Sequence, residues 1–112
     1  MRGSRIDSGA RHVRFALQKP VDNRGTDGSV TRTWTDQVVL HGAYKQLRGE
    51  ELVYAQQLVA AATATVTIGY RADITTAMRL KNGDRYFYIE DIDEGDLYAN
   101  ELILTVSERT AS

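Results

Sequence analysis

From Thr63 to Tyr70 the chain alternates without interruption, with Ala64, Val66, Ile68 and Tyr70 on one side and Thr63, Thr65 and Thr67 on the other. A period of two places successive side chains on opposite faces of an extended backbone, so this segment reads as a strand with one buried and one wet face. The same period recurs at Val13, Phe15 and Leu17, and again at Leu102, Leu104 and Val106. Phe87 and Ile89 point inward by the same reasoning. Recurring half-buried strands in 112 residues point to one antiparallel β domain around one core.

Turn chemistry divides the strands. The first strand runs from Arg11 to Pro20, where proline is expected to end it, and residues 21–29, rich in Gly and Asx, are expected to form a long exposed loop. Further strands follow at about Val30–Thr35 and at 37–46, with Gly42 marking a bulge or a close contact. Segments 78–81 and 85–92 flank Asn82-Gly83-Asp84, and Asn-Gly is the preferred pair for a type I′ hairpin turn. Glu90–Asp96 reads as an acidic turn, and Leu97–Glu108 as the closing strand. Only Gly49–Ala62 departs from this pattern. There Leu52, Ala55, Val59 and Ala62 fall at helical spacing, and Glu50 and Glu51 sit at the end where the helix dipole favours acids. The expected fold is mainly β: the pattern describes a small antiparallel barrel or sandwich of six to seven strands with one inserted α-helix, of which the β-barrel is the form expected. Residues 1–10 are expected to be a flexible arm, 11–108 the barrel domain and 109–112 a flexible tail.

Composition removes several classes of function. With no cysteine, disulfides, thiolate metal sites and thiol nucleophiles are all excluded. His12 and His41 stand alone on separate strands, and the acidic run offers Gly95 and Leu102 where a calcium loop needs oxygen ligands; no metal or cofactor is expected. No Gly-x-Ser-x-Gly elbow and no phosphate-binding glycine loop is present, so an enzyme is not expected. The segment Leu52–Tyr70 is too weakly apolar to span a bilayer, and the composition is that of a soluble cytoplasmic protein. Net charge is -1, yet residues 1–32 hold seven basic and three acidic side chains whereas 84–101 hold one and seven. Complementary surfaces of this kind suit an oligomer. Trp34, Tyr44, Tyr70, Tyr86 and Tyr88 are numerous enough to stack bases, which keeps a monomeric oligonucleotide-binding barrel as a reading from another class.

Several fragments occur in a characteristic order: Gly9-Ala10-Arg11-His12-Val13-Arg14-Phe15, Gln18-Lys19-Pro20, Gly28-Ser29-Val30, Trp34-Thr35-Asp36 and Gly42-Ala43-Tyr44. After them come Leu47-Arg48-Gly49-Glu50, Thr67-Ile68-Gly69-Tyr70-Arg71, Met78-Arg79, Asp84-Arg85-Tyr86-Phe87-Tyr88-Ile89 and Glu101-Leu102. This succession resembles the head-closure, or head-tail joining, proteins of tailed bacteriophages; Gly42 stands where that family carries a larger residue. The resemblance implies a non-enzymatic virion subunit assembled in host cytoplasm as a ring, commonly of twelve copies, between a portal-side adaptor and a tail or tail-terminator protein. Double-stranded DNA would pass through the ring without sequence-specific binding. A tail-completion or tail-terminator subunit is the close alternative.

The resemblance also directs attention to particular residues. Arg48, Gly49, Glu50, Glu51, Gln56 and Gln57 are the candidate channel or gating segment, preferred over 19–29, with Glu50 and Glu51 repelling DNA or simply favouring the helix start. Arg71, Arg79, Trp34, Asp91, Asp93 and Glu94 are candidate subunit-interface residues. For Trp34 the competing expectation is a place in the core.

Overall fold

In a computed structural model, which describes residues 11–94 and 100–109, the alternating segments become strands whose apolar residues meet in one interior. The elements are β1 (Arg11–Arg24), β2 (Val30–Gln46), α1 (Gly49–Leu58), β3 (Ala64–Gly69), β4 (Arg79–Asn82), β5 (Arg85–Asp93) and β6 (Glu101–Arg109). Six strands close into an antiparallel barrel in the order β1-β2-β3-β6-β5-β4. Closure pairs the strands of the barrel wall on both sides, while the β1–β2 ribbon beyond Gln18 keeps β1 with a neighbour on one side only.

Phe15 and Leu17 of β1, Val66 and Ile68 of β3, Leu80 of β4, Phe87 and Ile89 of β5, and Leu102, Leu104 and Val106 of β6 fill the interior. Phe15 and Phe87 meet edge to face, with ring centres 5.7 Å apart. Ile74 and Met78, from the connection before β4, join the same cluster. Gly42 is a close-contact position: a Cβ built there would lie 2.6 Å from Cγ1 of Val66. The side chain that the position lacks is replaced by Val66 reaching across from β3.

Several boundaries differ from expectation. Pro20 does not end β1, which continues to Arg24 paired with β2, Pro20 lying opposite Trp34. The β1–β4 pairing stops at Gln18/Arg79, so Pro20 lies where β1 has a neighbour on one side only and a missing N–H is tolerated. The expected loop 21–29 thus shrinks to residues 25–29, and the two strands expected over 30–46 are one strand, β2. They are joined through a β-bulge: Leu17 faces Val38 but Gln18 faces Asp36, leaving Gln37 as the extra residue.

The β4–β5 hairpin forms as expected, with its turn displaced by one residue. Asn82 pairs with Arg85, so the loop is Gly83-Asp84. Gly83 has φ +60°, while Asp84 is not among the residues with positive φ, which matches the primed turn that places glycine first rather than type I′. Asn82 is held in the ladder because its Nδ2 donates to the Arg14 carbonyl at 2.8 Å. The acidic segment expected to turn at Glu90 instead remains in β5 to Asp93, and residues 95 and 96 lie outside the described region. The expected flexible arm 1–10 and tail 110–112 also lie outside it, as does the expected start of the last strand at 97–99.

The helix ends at Leu58, and none of its residues is buried. Leu52, Ala55 and Val59 reach only intermediate burial; Ala62 is fully buried, but it lies beyond the helix. The insertion is secured at its base instead. Leu47 N–H donates to Thr63 O at 3.1 Å, and Thr63 N–H donates to Val106 O at 2.9 Å. Thr63 Oγ1 accepts from Glu108 N–H at 3.0 Å.

Candidate functional site

Strand direction gives the barrel two unlike ends. The start of β1, the end of β2, α1, the end of β4, the start of β5 and the end of β6 share one end. There a cavity of about 960 Å³ opens, lined among others by Val13, Phe15, Tyr44 and Phe87 and by Arg11, Lys45, Arg48 and Arg85. Tyr44 and Phe87 are tilted against each other with centres 5.5 Å apart. The cations on the rim differ in how far they are neutralised. Arg85 grips Glu108 through two hydrogen bonds of 2.7 and 2.8 Å. This holds the Glu108 carboxyl below the usual glutamate range and raises the Arg85 guanidinium further. Lys45 Nζ lies 3.0 Å from Glu51 Oε2, whereas Arg48 donates only to the neutral Gln46 Oε1, at 3.5 Å.

Of the six candidate gating residues, Arg48 and Glu51 line this opening, whereas Gly49, Glu50 and Gln57 line a separate shallow surface of α1. Arg48 occupies the N-cap position of α1 without a side-chain cap bond, and Gly49 opens the helix. Glu50 and Gln57 face solvent, Glu51 is engaged by Lys45, and Gln56 Nε2 donates to Ala62 O at 3.2 Å. Between them α1 exposes Val53, Tyr54 and Leu58 at 59%, 66% and 73%. An apolar surface with no partner inside the chain is the usual mark of a protein contact. The stripe read from the sequence, Leu52, Ala55 and Val59, is the other side of the helix and is half-buried.

The interface candidates are dispersed toward the other end and the outer wall. Asp91, Asp93 and Glu94 are exposed at the end of β5 remote from the cavity. Arg71, just beyond β3, is bound to Asp73 by hydrogen bonds of 3.0 and 2.9 Å, and this keeps the Asp73 carboxyl below its ordinary value. Trp34 is not a core residue: it is half-buried on the outer face of the barrel, edge-on to Tyr88 at 5.8 Å. Arg79 is turned inward within its own chain, with 7% exposure. Its Nε donates to Gln18 Oε1 at 2.7 Å and its Nη1 to Tyr88 OH at 2.9 Å. The Trp34 and Tyr86 rings lie 4.1 and 4.2 Å from its guanidinium carbon. Gln18 Nε2 in turn donates to Asp36 Oδ1 at 2.7 Å.

This Gln18–Asp36 relay is invisible in the sequence, because it depends on the bulge at Gln37. The same cluster bears on base stacking: Trp34, Tyr86 and Tyr88 are turned to Arg79, and Tyr88 also carries Arg109 at 4.5 Å. Among the described residues there is no cluster of His, Asp or Glu able to hold a metal ion, and no helix is long and apolar enough to cross a membrane.

The sequence matches the phage head completion proteins over residues 6–109. The chain belongs to that family. It is accordingly a structural protein of the phage head, and its place is in the virion. Its fold is also that of two solved structures. One is protein SF1141 of Shigella flexneri 2a, 22% identical, with TM-score 0.73 and coverage of 96% of this chain and all of that one. The other is a chain from the virion of a native gene transfer agent particle, 16% identical, with TM-score 0.58 and coverage of 90% and 98%. No curated protein matches the chain in sequence.

Proposed function

We propose that the chain is the repeating subunit of a ring at the joint between head and tail, and that packaged DNA passes through the ring without sequence-specific contact. The observation that carries this reading is α1, a helix with no buried residue and with Val53, Tyr54 and Leu58 in solvent. A short helix that the described residues leave only half-covered gains stability from a neighbour, and in a ring the neighbour is another copy. Family membership supplies the setting, and the gene transfer agent chain is a virion component with the same fold.

In this arrangement the two barrel ends face different proteins, an adaptor on the portal side and a tail or tail-terminator protein on the other. Glu50 and Gln57 share the exposed side of α1 with Val53 and Tyr54, so they flank the contact with the neighbouring copy where it meets the lumen, and a carboxylate there repels the DNA backbone. Assembly takes place in the host cytoplasm. Trp34, Tyr86 and Tyr88 are engaged around Arg79, which weighs against the base-stacking alternative. The test is complementation of particles lacking this protein with Tyr54→Ser/Leu58→Asp. Folded subunit with unjoined heads is the expected result; normal infectious particles would overturn the reading.

A further inference from the structure

The open end of the barrel holds more positive charge than the described residues neutralise. Lys45 is shared with Glu51 and Arg85 with Glu108. Arg48 has only a neutral amide oxygen, and Arg11 has no side-chain partner among the described residues. Both guanidinia border a cavity of about 960 Å³ whose lining includes Val13, Tyr44 and Phe87. That volume lies at the upper end of the range of about 300–1,000 Å³ typical of built ligand pockets.

We propose that this opening is a socket for an acidic segment of another virion protein, which seats an apolar or aromatic side chain among Val13, Tyr44 and Phe87 and sets carboxylates against Arg11 and Arg48. Burying two unpaired guanidinia beneath a neutral partner would leave desolvated charge uncompensated, so the occupant brings acid. The apolar lining demands a side chain as well as a charge. A DNA duplex, convex and uniformly polar, offers nothing to cover Tyr44 and Phe87. The chain's own first ten residues, with Arg2 and Arg5 against Asp7, carry the wrong sign. A second copy's acidic Asp91, Asp93 and Glu94 lie at the opposite end of its barrel, so they reach this opening only where copies stack end to end, out of the plane of a single ring.

That the segment comes from a neighbouring ring rests on the proposed place in the particle; the chemistry of the socket does not. The full chain is titrated with a capped peptide, Glu-Asp-Phe-Asp-Glu, with its lysine counterpart Lys-Lys-Phe-Lys-Lys, and with a short DNA duplex, followed by amide chemical shifts. The acidic peptide is expected to move resonances of Arg11, Tyr44, Arg48 and Arg85, with affinity falling at least tenfold in Arg11→Glu/Arg48→Glu. Both positions are exposed, and an unchanged spectrum elsewhere verifies the fold of that variant. Equal binding of the lysine peptide, no shifts at the opening, or saturation there by DNA alone would each overturn the proposal. Such a failure leaves the ring reading standing if particles still require the chain. Peptide binding by a chain absent from particles would instead refute the ring reading and keep the socket.

Discussion

The guanidinium carbon of Arg79 lies 4.1 Å from the centre of the Trp34 ring, across residues 45 positions apart in sequence. One belongs to the short barrel strand β4, and the other to the part of the β1–β2 ribbon that has already left the barrel. The contact therefore fixes the angle at which that ribbon departs. With the Tyr86 ring centre 4.2 Å away, and with Gln18 and Tyr88 as hydrogen-bond acceptors, Arg79 keeps a buried charge solvated by fixed dipoles and ring faces. Lysine has one compact ammonium and cannot stack and fork at once. Arg79→Lys is predicted to cost about 1–2 kcal/mol in urea unfolding. Amide exchange should rise over residues 19–35 before it rises in β3 or β6; uniform loss across the barrel would assign Arg79 to the core instead.

Gly42→Ala is predicted to destabilise the fold by about 1–3 kcal/mol, because its methyl would meet Val66 at 2.6 Å in a filled interior. Val66→Ala alone opens a cavity. Combined with Gly42→Ala, it should cost less than the sum of the two, and strict additivity in denaturant melts would show that the two sites do not touch.

Glu108 is the carboxyl to watch in acid. Its pKa is lowered first by the hydrogen bonds from Arg85 and then by the charge of Arg85, against an opposing effect of burial. A carboxyl depressed in the folded state contributes stability that is fully present above its unfolded value and is lost as pH falls through the folded one. Stability should therefore decline below about pH 4.5, and Glu108→Gln should flatten that decline while lowering the plateau near neutrality. An unchanged acid limb would remove Glu108 from the account.

Leu58→Asp alone should leave the melting curve of the isolated chain within about 0.5 kcal/mol of the parent, since Leu58 is 73% exposed. Its effect belongs to assembly. A large stability loss in the isolated subunit would mean that α1 packs on its own barrel.

The core was legible because alternation is a local signal: Phe15, Leu17, Val66, Ile68, Phe87, Ile89, Leu102, Leu104 and Val106 all lie at the inward positions that a period of two assigns. The boundaries were less so, for reasons set by distant partners. Pro20 breaks a strand only where both edges are paired, and here the outer edge is vacant past Gln18. The bulged residues Gln37 and Glu90, where the registers of β1–β2 and β5–β6 shift, look like ordinary polar strand positions. The helical spacing of Leu52, Ala55 and Val59 described the side of α1 nearer the barrel correctly, yet did not reveal that the barrel leaves it half-covered. The cavity residues Arg11, Tyr44, Lys45, Arg48 and Arg85 come from segments that only barrel closure brings together, and no spacing rule joins them.

The central claim is that this chain is a ring subunit at the head-tail joint, and cryo-electron microscopy of purified particles tests it most directly. The account predicts a ring of this barrel on the particle axis, with α1 of each copy against its neighbour and the two unlike barrel ends against different proteins. Particles with intact heads and attached tails but no density for this fold on the axis would contradict it.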